Sequence, residues 1–175
     1  MKYIPNALTI FRIALAPVFI YVYFSRIPNN HIIALSIFLI ASITDVLDGY
    51  LARKFNVVSK IGIALDPLAD KLMLVAVLGS FHSDNLIPAI IFFFMLSIES
   101  TLIAAGAMIY FKEDLSVIPS NRSGKNATLS FTLAIILVFF FPDSIISFSM
   151  VVFATMLKTI AFIGYMKEIL RSQNA

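Results

Sequence analysis

Four aspartates stand close together in an otherwise apolar part of the sequence. Asp45 and Asp48 are three residues apart, and Asp66 and Asp70 are four residues apart. On a helix, both spacings bring the two side chains of a pair to one face. The connection between the two pairs is short, so we expect their helices to be antiparallel neighbours, with all four carboxylates at one depth. A carboxylate within a membrane-spanning helix costs about 3 kcal/mol even on a lenient insertion scale. Four of them in such a setting therefore indicate a functional site.

Carboxylates gathered at one place need compensation for their negative charge. One solution keeps some of them protonated, as in a proton pathway. The other places divalent cations between them, and a site with oxygen ligands alone favours hard ions such as Mg²⁺, Mn²⁺ or Ca²⁺. Four carboxylates balance two divalent ions, and a two-metal site is suited to displacement at phosphorus.

The residues around the aspartates favour the metal site. Gly49, Ala52 and Gly62 are small and lie within four positions of Asp48 or Asp66, so they leave room for a ligand near the backbone. Arg53 stands where its guanidinium can bind phosphate oxygens. This set predicts a pocket for a metal-bound pyrophosphate. The alternative from another class is an ion-coupled transporter with a carboxylate pathway.

The elements that must position these residues are apolar helices. Of the 175 residues, 60% are hydrophobic and 13% are charged, and the mean hydropathy is +0.95. An ordinary soluble domain carries about 25% charged residues, so that class is excluded. Cysteine is absent from the sequence, which excludes disulfides and thiolate metal sites.

The hydropathy pattern predicts an all-α, polytopic membrane protein with six spans. They cover residues 7–24, 31–52, 61–80, 86–110, 127–142 and 144–167. Turn signals such as Ile27-Pro28-Asn29-Asn30 and Pro142-Asp143 separate them. The composition does not shift along the sequence and no internal repeat is visible, so residues 1–175 are predicted to form one domain.

The basic residues predict the orientation in the membrane, since loops rich in Lys and Arg stay in the cytoplasm. With the amino terminus inside, only Arg26 falls outside. The residues then predicted to be cytoplasmic are Lys2, Arg53, Lys54, Lys60, Lys112, Arg122, Lys125, Lys167 and Arg171. Both termini and the aspartate cluster are therefore predicted on the cytoplasmic side of the cell membrane.

The aspartate segment also resembles a known family signature. It is similar at every fixed position to that of the CDP-alcohol phosphatidyltransferases, reading Asp45-x2-Asp48-Gly49-x2-Ala52-Arg53-x8-Gly62-x3-Asp66-x3-Asp70. Three further segments resemble the branch with the phosphatidylglycerolphosphate synthases and the CDP-alcohol-type cardiolipin synthases. They are Ile4-Pro5-Asn6-Ala7-Leu8-Thr9-Ile10-Phe11-Arg12 followed by Pro17, Leu65-Asp66-Pro67-Leu68-Ala69-Asp70-Lys71, and Gly124-Lys125-x2-Thr128.

The resemblance implies a phospholipid-synthesising membrane enzyme, usually a homodimer. It implies six transmembrane helices, a short amphipathic segment before the first, and an active site open to the cytoplasm. The donor would be CDP-diacylglycerol, and an alcohol would attack its β-phosphorus and release CMP. No nucleic-acid partner is implied.

The resemblance also implies a role for each motif residue. The four aspartates would bind two divalent cations, Mg²⁺ or Mn²⁺. Asp66 and Asp70 would be catalytic, with Asp70 taking the proton of the alcohol. Gly49, Ala52 and Gly62 would line the cytidine pocket, and Arg53 would contact the donor phosphates.

Glycerol 3-phosphate is the expected acceptor, and it is a dianion that needs a basic pocket. Arg12, Arg122 and Lys125 are the candidate cations, and Asn6 and Thr9 are candidate hydrogen-bonding residues. The alternative acceptor is phosphatidylglycerol, which would give cardiolipin.

Two positions depart from the usual pattern of the branch. Ile98 stands before Glu99 where an Arg is common, and Ala127 stands where a second Lys is common. Glu99 lies within the fourth span, and we expect it to pair with Lys158 or Lys71 rather than to bind substrate, because an unpaired charge there is costly.

Overall fold

The computed structural model describes the backbone of residues 4–55, 60–111 and 122–173, and the side chains of residues 7–47, 68–105 and 124–168. These residues form six α-helices and no strand, so the predicted all-α class is confirmed. The helices are α1 (Ile4–Tyr23), α2 (Asn30–Phe55), α3 (Lys60–Ser83), α4 (Ala89–Phe111), α5 (Arg122–Phe140) and α6 (Ile145–Gln173).

The helices match the six predicted spans in order and differ from them at their ends. The amino-terminal end of α5 begins at Arg122, five residues before its predicted span, so the Gly124-Lys125 segment is helical. The chain is already in α1 at Ile4. The amphipathic segment implied before the first helix stays a prediction, because the described residues begin within α1.

The chain divides into two compact units, Met1–Ser83 and Asp84–Ala175, each with three helices. In the first unit, α1 packs against both α2 and α3, whereas α2 and α3 contact each other only slightly. The motif helices are therefore less direct neighbours than the short connection between them suggests, because α1 packs against each of them.

One face of α1 is buried along its length. Its members are spaced by three or four residues, as a helix face requires, and are Thr9, Arg12, Ala16, Phe19 and Tyr23. The apolar members lie toward the carboxyl-terminal end, and the polar members lie in the amino-terminal half. This distribution places a buried threonine and a buried arginine beside the motif helices.

The turn between α1 and α2 is held by an asparagine side chain. The Nδ2 of Asn30 donates to the carbonyl oxygens of Tyr23 at 2.7 Å and Ser25 at 3.0 Å. Asn29 adopts a φ of 60°, a left-handed conformation that asparagine tolerates. The bond to Tyr23 satisfies a carbonyl at the end of α1 that has no partner within the helix, and the bond to Ser25 holds the turn.

In the second unit, α5 and α6 form a closely packed pair. The hydroxyl of Ser147 in α6 donates to the carbonyl of Leu137 in α5 at 3.0 Å. The Oγ of Ser144 accepts a hydrogen bond from the backbone N–H of Ile146 at 3.2 Å, which caps the first turn of α6. The α5–α6 turn therefore falls at the predicted Pro142-Asp143 signal.

Several helices carry the apolar surface expected of a membrane protein. Among the described residues, Asn30–Leu47 and Ile145–Glu168 are long and apolar enough to cross a membrane. Shorter apolar helical stretches cover Ala7–Tyr23, Ala89–Ala105 and Gly124–Phe140. Large apolar side chains such as Ile90 and Ile145 are exposed.

Candidate active site

A buried guanidinium joins the two motif helices. The Nη1 of Arg12 donates to Oδ1 of Asp45 at 2.6 Å, and the same nitrogen donates to Oδ1 of Asp70. These partners are 33 and 58 residues from Arg12 along the chain. The structure thus brings one aspartate from each predicted pair to the same point, with α1 supplying the cation.

The exposure of the three side chains differs sharply. Arg12 exposes 3% of its side chain, whereas Asp45 exposes 46% and Asp70 exposes 44%. The carboxylates therefore present part of their surface to the open side, and the guanidinium does not. A half-exposed pair of carboxylates, with oxygen donors only, fits a hard divalent cation.

The positions of Asp48 and Asp66 follow from the helical backbone. Residues 45–48 lie in α2 and residues 66–70 lie in α3 without a break in either helix. Asp48 and Asp66 are therefore about one turn from Asp45 and Asp70. Their side chains lie outside the described residues, and within the described part of the chain no group of three His, Cys, Asp or Glu side chains could hold a metal.

The predicted donor-binding residues also lie on the two motif helices. Gly49, Ala52 and Arg53 lie in the carboxyl-terminal part of α2, and Gly62 lies in the first turn of α3. All four have helical backbone, and their side-chain surroundings lie outside the described residues. Their roles stay predictions.

The predicted acceptor residues fall in both units. Asn6, Thr9 and Arg12 lie on α1, where Thr9 is fully buried one turn before Arg12 and the side chain of Asn6 is outside the described residues. Arg122 and Lys125 lie in the first turn of α5. Lys125 is exposed, and the Arg122 side chain is outside the described residues.

The contact between Arg12 and the aspartates is the feature that sequence reasoning misses. The sequence assigns Arg12 to the acceptor because a basic residue near an anion site suggests anion binding. A signal for the contact does exist, since an arginine within an apolar span needs a nearby acid. The predicted acceptor role of Arg12 stays a prediction.

The two departures from the branch pattern are both buried. Ile98 exposes 3% of its surface, and Ala127 exposes none. Apolar side chains thus fill both positions within the second unit, and a lysine at position 127 would have to bury its stem there.

Glu99 forms the predicted pair with Lys158. Lys158 Nζ lies 2.6 Å from Glu99 Oε1 and 5.9 Å from the centre of the Phe131 ring. Glu99 exposes 2% of its side chain and Lys158 exposes 12%. The pair is balanced in charge and closed to the outside, which is the arrangement expected of a structural ion pair.

Comparison with known proteins places these features in a family. The family model described as CDP-alcohol phosphatidyltransferase matches residues 2–163. The chain is 33% identical over 159 residues to the CDP-diacylglycerol–glycerol-3-phosphate 3-phosphatidyltransferase of Bacillus subtilis, covering 83% of this chain and 81% of the relative.

Two further relatives match over shorter segments. The enzyme of the same name from Haemophilus influenzae is 49% identical over 79 residues, which cover 45% of this chain and 43% of that protein. The human cardiolipin synthase (CMP-forming) is 43% identical over 103 residues, covering 58% of this chain and 33% of that protein. These two matches therefore span less than half of each relative.

Proposed function

The chain belongs to the CDP-alcohol phosphatidyltransferase family, and we propose that it transfers the phosphatidyl group of CDP-diacylglycerol to glycerol 3-phosphate, with release of CMP. The observation that carries this proposal is the meeting of Asp45 and Asp70 from two different helices at one guanidinium. The relatives from Bacillus subtilis and Haemophilus influenzae that bear this activity in their names support the choice of acceptor.

In the proposed reaction the alcohol oxygen forms a bond to the β-phosphorus of the donor. The bond between that phosphorus and the oxygen bridging to the cytidine phosphate breaks, and CMP leaves with the electron pair. Asp70 takes the alcohol proton, a role supported by its half-exposed carboxylate, which the acceptor can approach. Arg53 holds the donor phosphates through charge-assisted hydrogen bonds.

The aspartates Asp45, Asp48, Asp66 and Asp70 would hold two divalent cations, Mg²⁺ or Mn²⁺. When bound, such ions neutralise the pyrophosphate and stabilise the leaving CMP. The half-exposed carboxylates of Asp45 and Asp70, which come from two different helices and meet at one point, support this assignment.

We propose that six helices cross the cell membrane with both termini and the aspartates on the cytoplasmic side, and that the enzyme is a homodimer. The distribution of Lys and Arg supports this orientation. The residues that would bind glycerol 3-phosphate are Asn6, Thr9, Arg12, Arg122 and Lys125.

A second acceptor, phosphatidylglycerol, is favoured by two observations. Ile98 and Ala127 supply no positive charge and are buried, so two cations common in the branch are replaced by apolar side chains. The human relative is named a cardiolipin synthase. A lipid alcohol enters from the bilayer and needs less capture of a soluble phosphate.

An acceptor screen tests the proposal. Purified protein with CDP-diacylglycerol and Mg²⁺ or Mn²⁺ is offered glycerol 3-phosphate, phosphatidylglycerol, inositol phosphate or serine, and CMP is measured. We expect the fastest release with glycerol 3-phosphate, loss of release in EDTA, and recovery on adding metal. Asp48→Asn and Asp66→Asn should abolish turnover, because an amide is a weaker, neutral ligand.

Asp143→Asn is the matched control, since Asp143 is an exposed aspartate in the α5–α6 turn and should leave turnover unchanged. Full activity in EDTA would contradict the two-metal reaction. Cation flux into vesicles without CMP release from any acceptor would favour the transporter alternative.

A further inference from the structure

Arg12 occupies an unusual position for an arginine in an apolar helix. Its side chain is 3% exposed, and a single nitrogen, Nη1, donates to Asp45 of α2 and to Asp70 of α3. Because α2 and α3 contact each other only slightly, this nitrogen is a direct link between the two motif helices at the level of the carboxylates.

The link has an electrostatic reason. Both Oδ1 atoms are hydrogen-bonded to one nitrogen, so they lie within about 6 Å of each other. Two carboxylates at that distance repel one another. A guanidinium is permanently charged, and its Nη1 carries two N–H groups, so this one nitrogen can donate to both carboxylates at once.

The exposures indicate on which side the guanidinium lies. Arg12 is buried, whereas Asp45 and Asp70 each expose more than two fifths of their side chains. The clamp therefore holds each carboxylate from the protein side through Oδ1. A ligand on the open side can approach the carboxylates without displacing it.

We propose that Arg12 is a positioning residue of the metal site: it holds Asp45 and Asp70 from the buried side so that both present their outer oxygens to the divalent cation. This inference rests on the proposed function, since it assumes that these aspartates bind metal. It gives Arg12 a role in the metal site that is distinct from binding the acceptor. Carboxylates oriented by such outer partners typically bind metal about 10–100-fold more tightly.

Mn²⁺ binding to the metal-depleted, full-length protein tests the proposal, with free Mn²⁺ read by electron paramagnetic resonance. We expect Arg12→Gln to raise the Mn²⁺ Kd by about 10–100-fold. Arg12→Lys restores the charge and should recover most of the affinity. Arg26→Gln is the matched control, because Arg26 is an exposed arginine of the same unit, and its Kd should stay at the wild-type value.

Acceptor kinetics distinguish the two roles of Arg12. An unchanged Mn²⁺ Kd in Arg12→Gln, together with a raised KM for glycerol 3-phosphate, would overturn the positioning role and establish acceptor binding instead. If the wild-type protein releases CMP and binds Mn²⁺, that result rejects only the role of Arg12. If the wild type does neither, the proposed function fails as well.

A measurement on the wild-type protein keeps the test decisive if Arg12→Gln does not fold. Phenylglyoxal labelling of each arginine is followed by mass spectrometry in EDTA and in Mn²⁺. A clamp that stays in place protects Arg12 in both conditions, while the exposed Arg26 is labelled in both. Labelling of Arg12 that rises several-fold with Mn²⁺ would show that the cation displaces it, and would overturn the proposal.

Discussion

Each of the two units contains charged side chains among apolar helices, and the two clusters differ in the number of partners and in exposure. In the first unit, one buried guanidinium faces two carboxylates that are nearly half exposed. In the second unit, one lysine faces one glutamate, and both are largely buried. The first cluster is partly open, whereas the second is balanced in charge and closed.

This difference agrees with the proposal that the first cluster binds a cation and that the second is an ion pair that supports packing. Half-exposed carboxylates can be reached by a ligand, whereas a closed pair cannot. A balanced pair is satisfied within the protein and needs no further partner. The ring of Phe131 near Lys158 adds a favourable cation–π contact and closes the pair further.

Among substitutions in the two clusters, the largest expected effect is on the rate when Asp70 is changed. Asp70→Asn should lower kcat by about 10²–10⁴-fold, because the proton acceptor is lost. Donor binding should change far less, since three carboxylates and Arg53 still hold the donor. CMP release under saturating acceptor, with donor binding measured separately, checks the prediction.

The same measurement on Glu99→Gln sharpens the contrast, because a structural residue should leave kcat per folded molecule near the wild-type value. If donor binding by Asp70→Asn fell in parallel with the rate, Asp70 would act mainly as a metal ligand, and the base would lie elsewhere.

The second expected effect is on stability when the closed pair is broken. Glu99→Gln leaves Lys158 largely buried without its counter-charge, and removing one partner of a buried pair costs about 3–5 kcal/mol. We expect a clear fall in the Tm of the purified protein in detergent. Glu168→Gln is the control, because Glu168 is exposed on α6 and its loss should leave the Tm unchanged.

Replacing both charges tests the structural interpretation of the pair. Glu99→Leu combined with Lys158→Met should return the Tm close to the wild-type value, since apolar residues of similar size often replace a buried pair without loss. A double variant with wild-type Tm and no CMP release would instead assign the pair to the reaction.

The smallest expected effect concerns the acceptor. Lys125→Ala and Arg122→Ala should each raise the KM for glycerol 3-phosphate by roughly 10–100-fold, the value of one charge-assisted hydrogen bond. The donor KM should change little. Lys167→Ala removes another exposed lysine predicted on the cytoplasmic side and should leave both constants unchanged.

An unchanged acceptor KM in both variants would count against this pocket. Such a result would favour phosphatidylglycerol, whose use should then be insensitive to both substitutions in the acceptor screen.

Sequence patterns predict much of the fold because the signals are local. Long apolar segments separated by Pro and Asn turns predict six helices, and each helix lies where a span is expected. The cost of an unpaired Glu99 within an apolar helix predicts a partner, and Lys158 is that partner. Helix ends are predicted less accurately, as at Arg122, because polar residues extend a helix beyond its apolar part.

The meeting of Asp45 and Asp70 is predicted from the sequence, whereas the arrangement of the helices around them is not. The spacing within each aspartate pair follows from helix geometry, so the sequence alone assigns Asp45 and Asp70 to one site. The expected direct pairing of α2 and α3 is too simple, since each packs mainly on α1. Which helix comes between two others depends on side-chain packing along whole faces, and spacing within one segment does not reveal it.

The sequence by itself predicts a cluster of carboxylates, small residues and one arginine on apolar helices, because spacing along a helix and the cost of charge in apolar surroundings are properties of each segment. Only the tertiary structure decided that Arg12 belongs to this cluster. Its partners are 33 and 58 residues away, and their meeting depends on the buried face of α1 packing against α2 and α3. A guanidinium in an apolar helix needs an acidic partner, and the packing of the three helices determines which carboxylates lie close enough to be that partner.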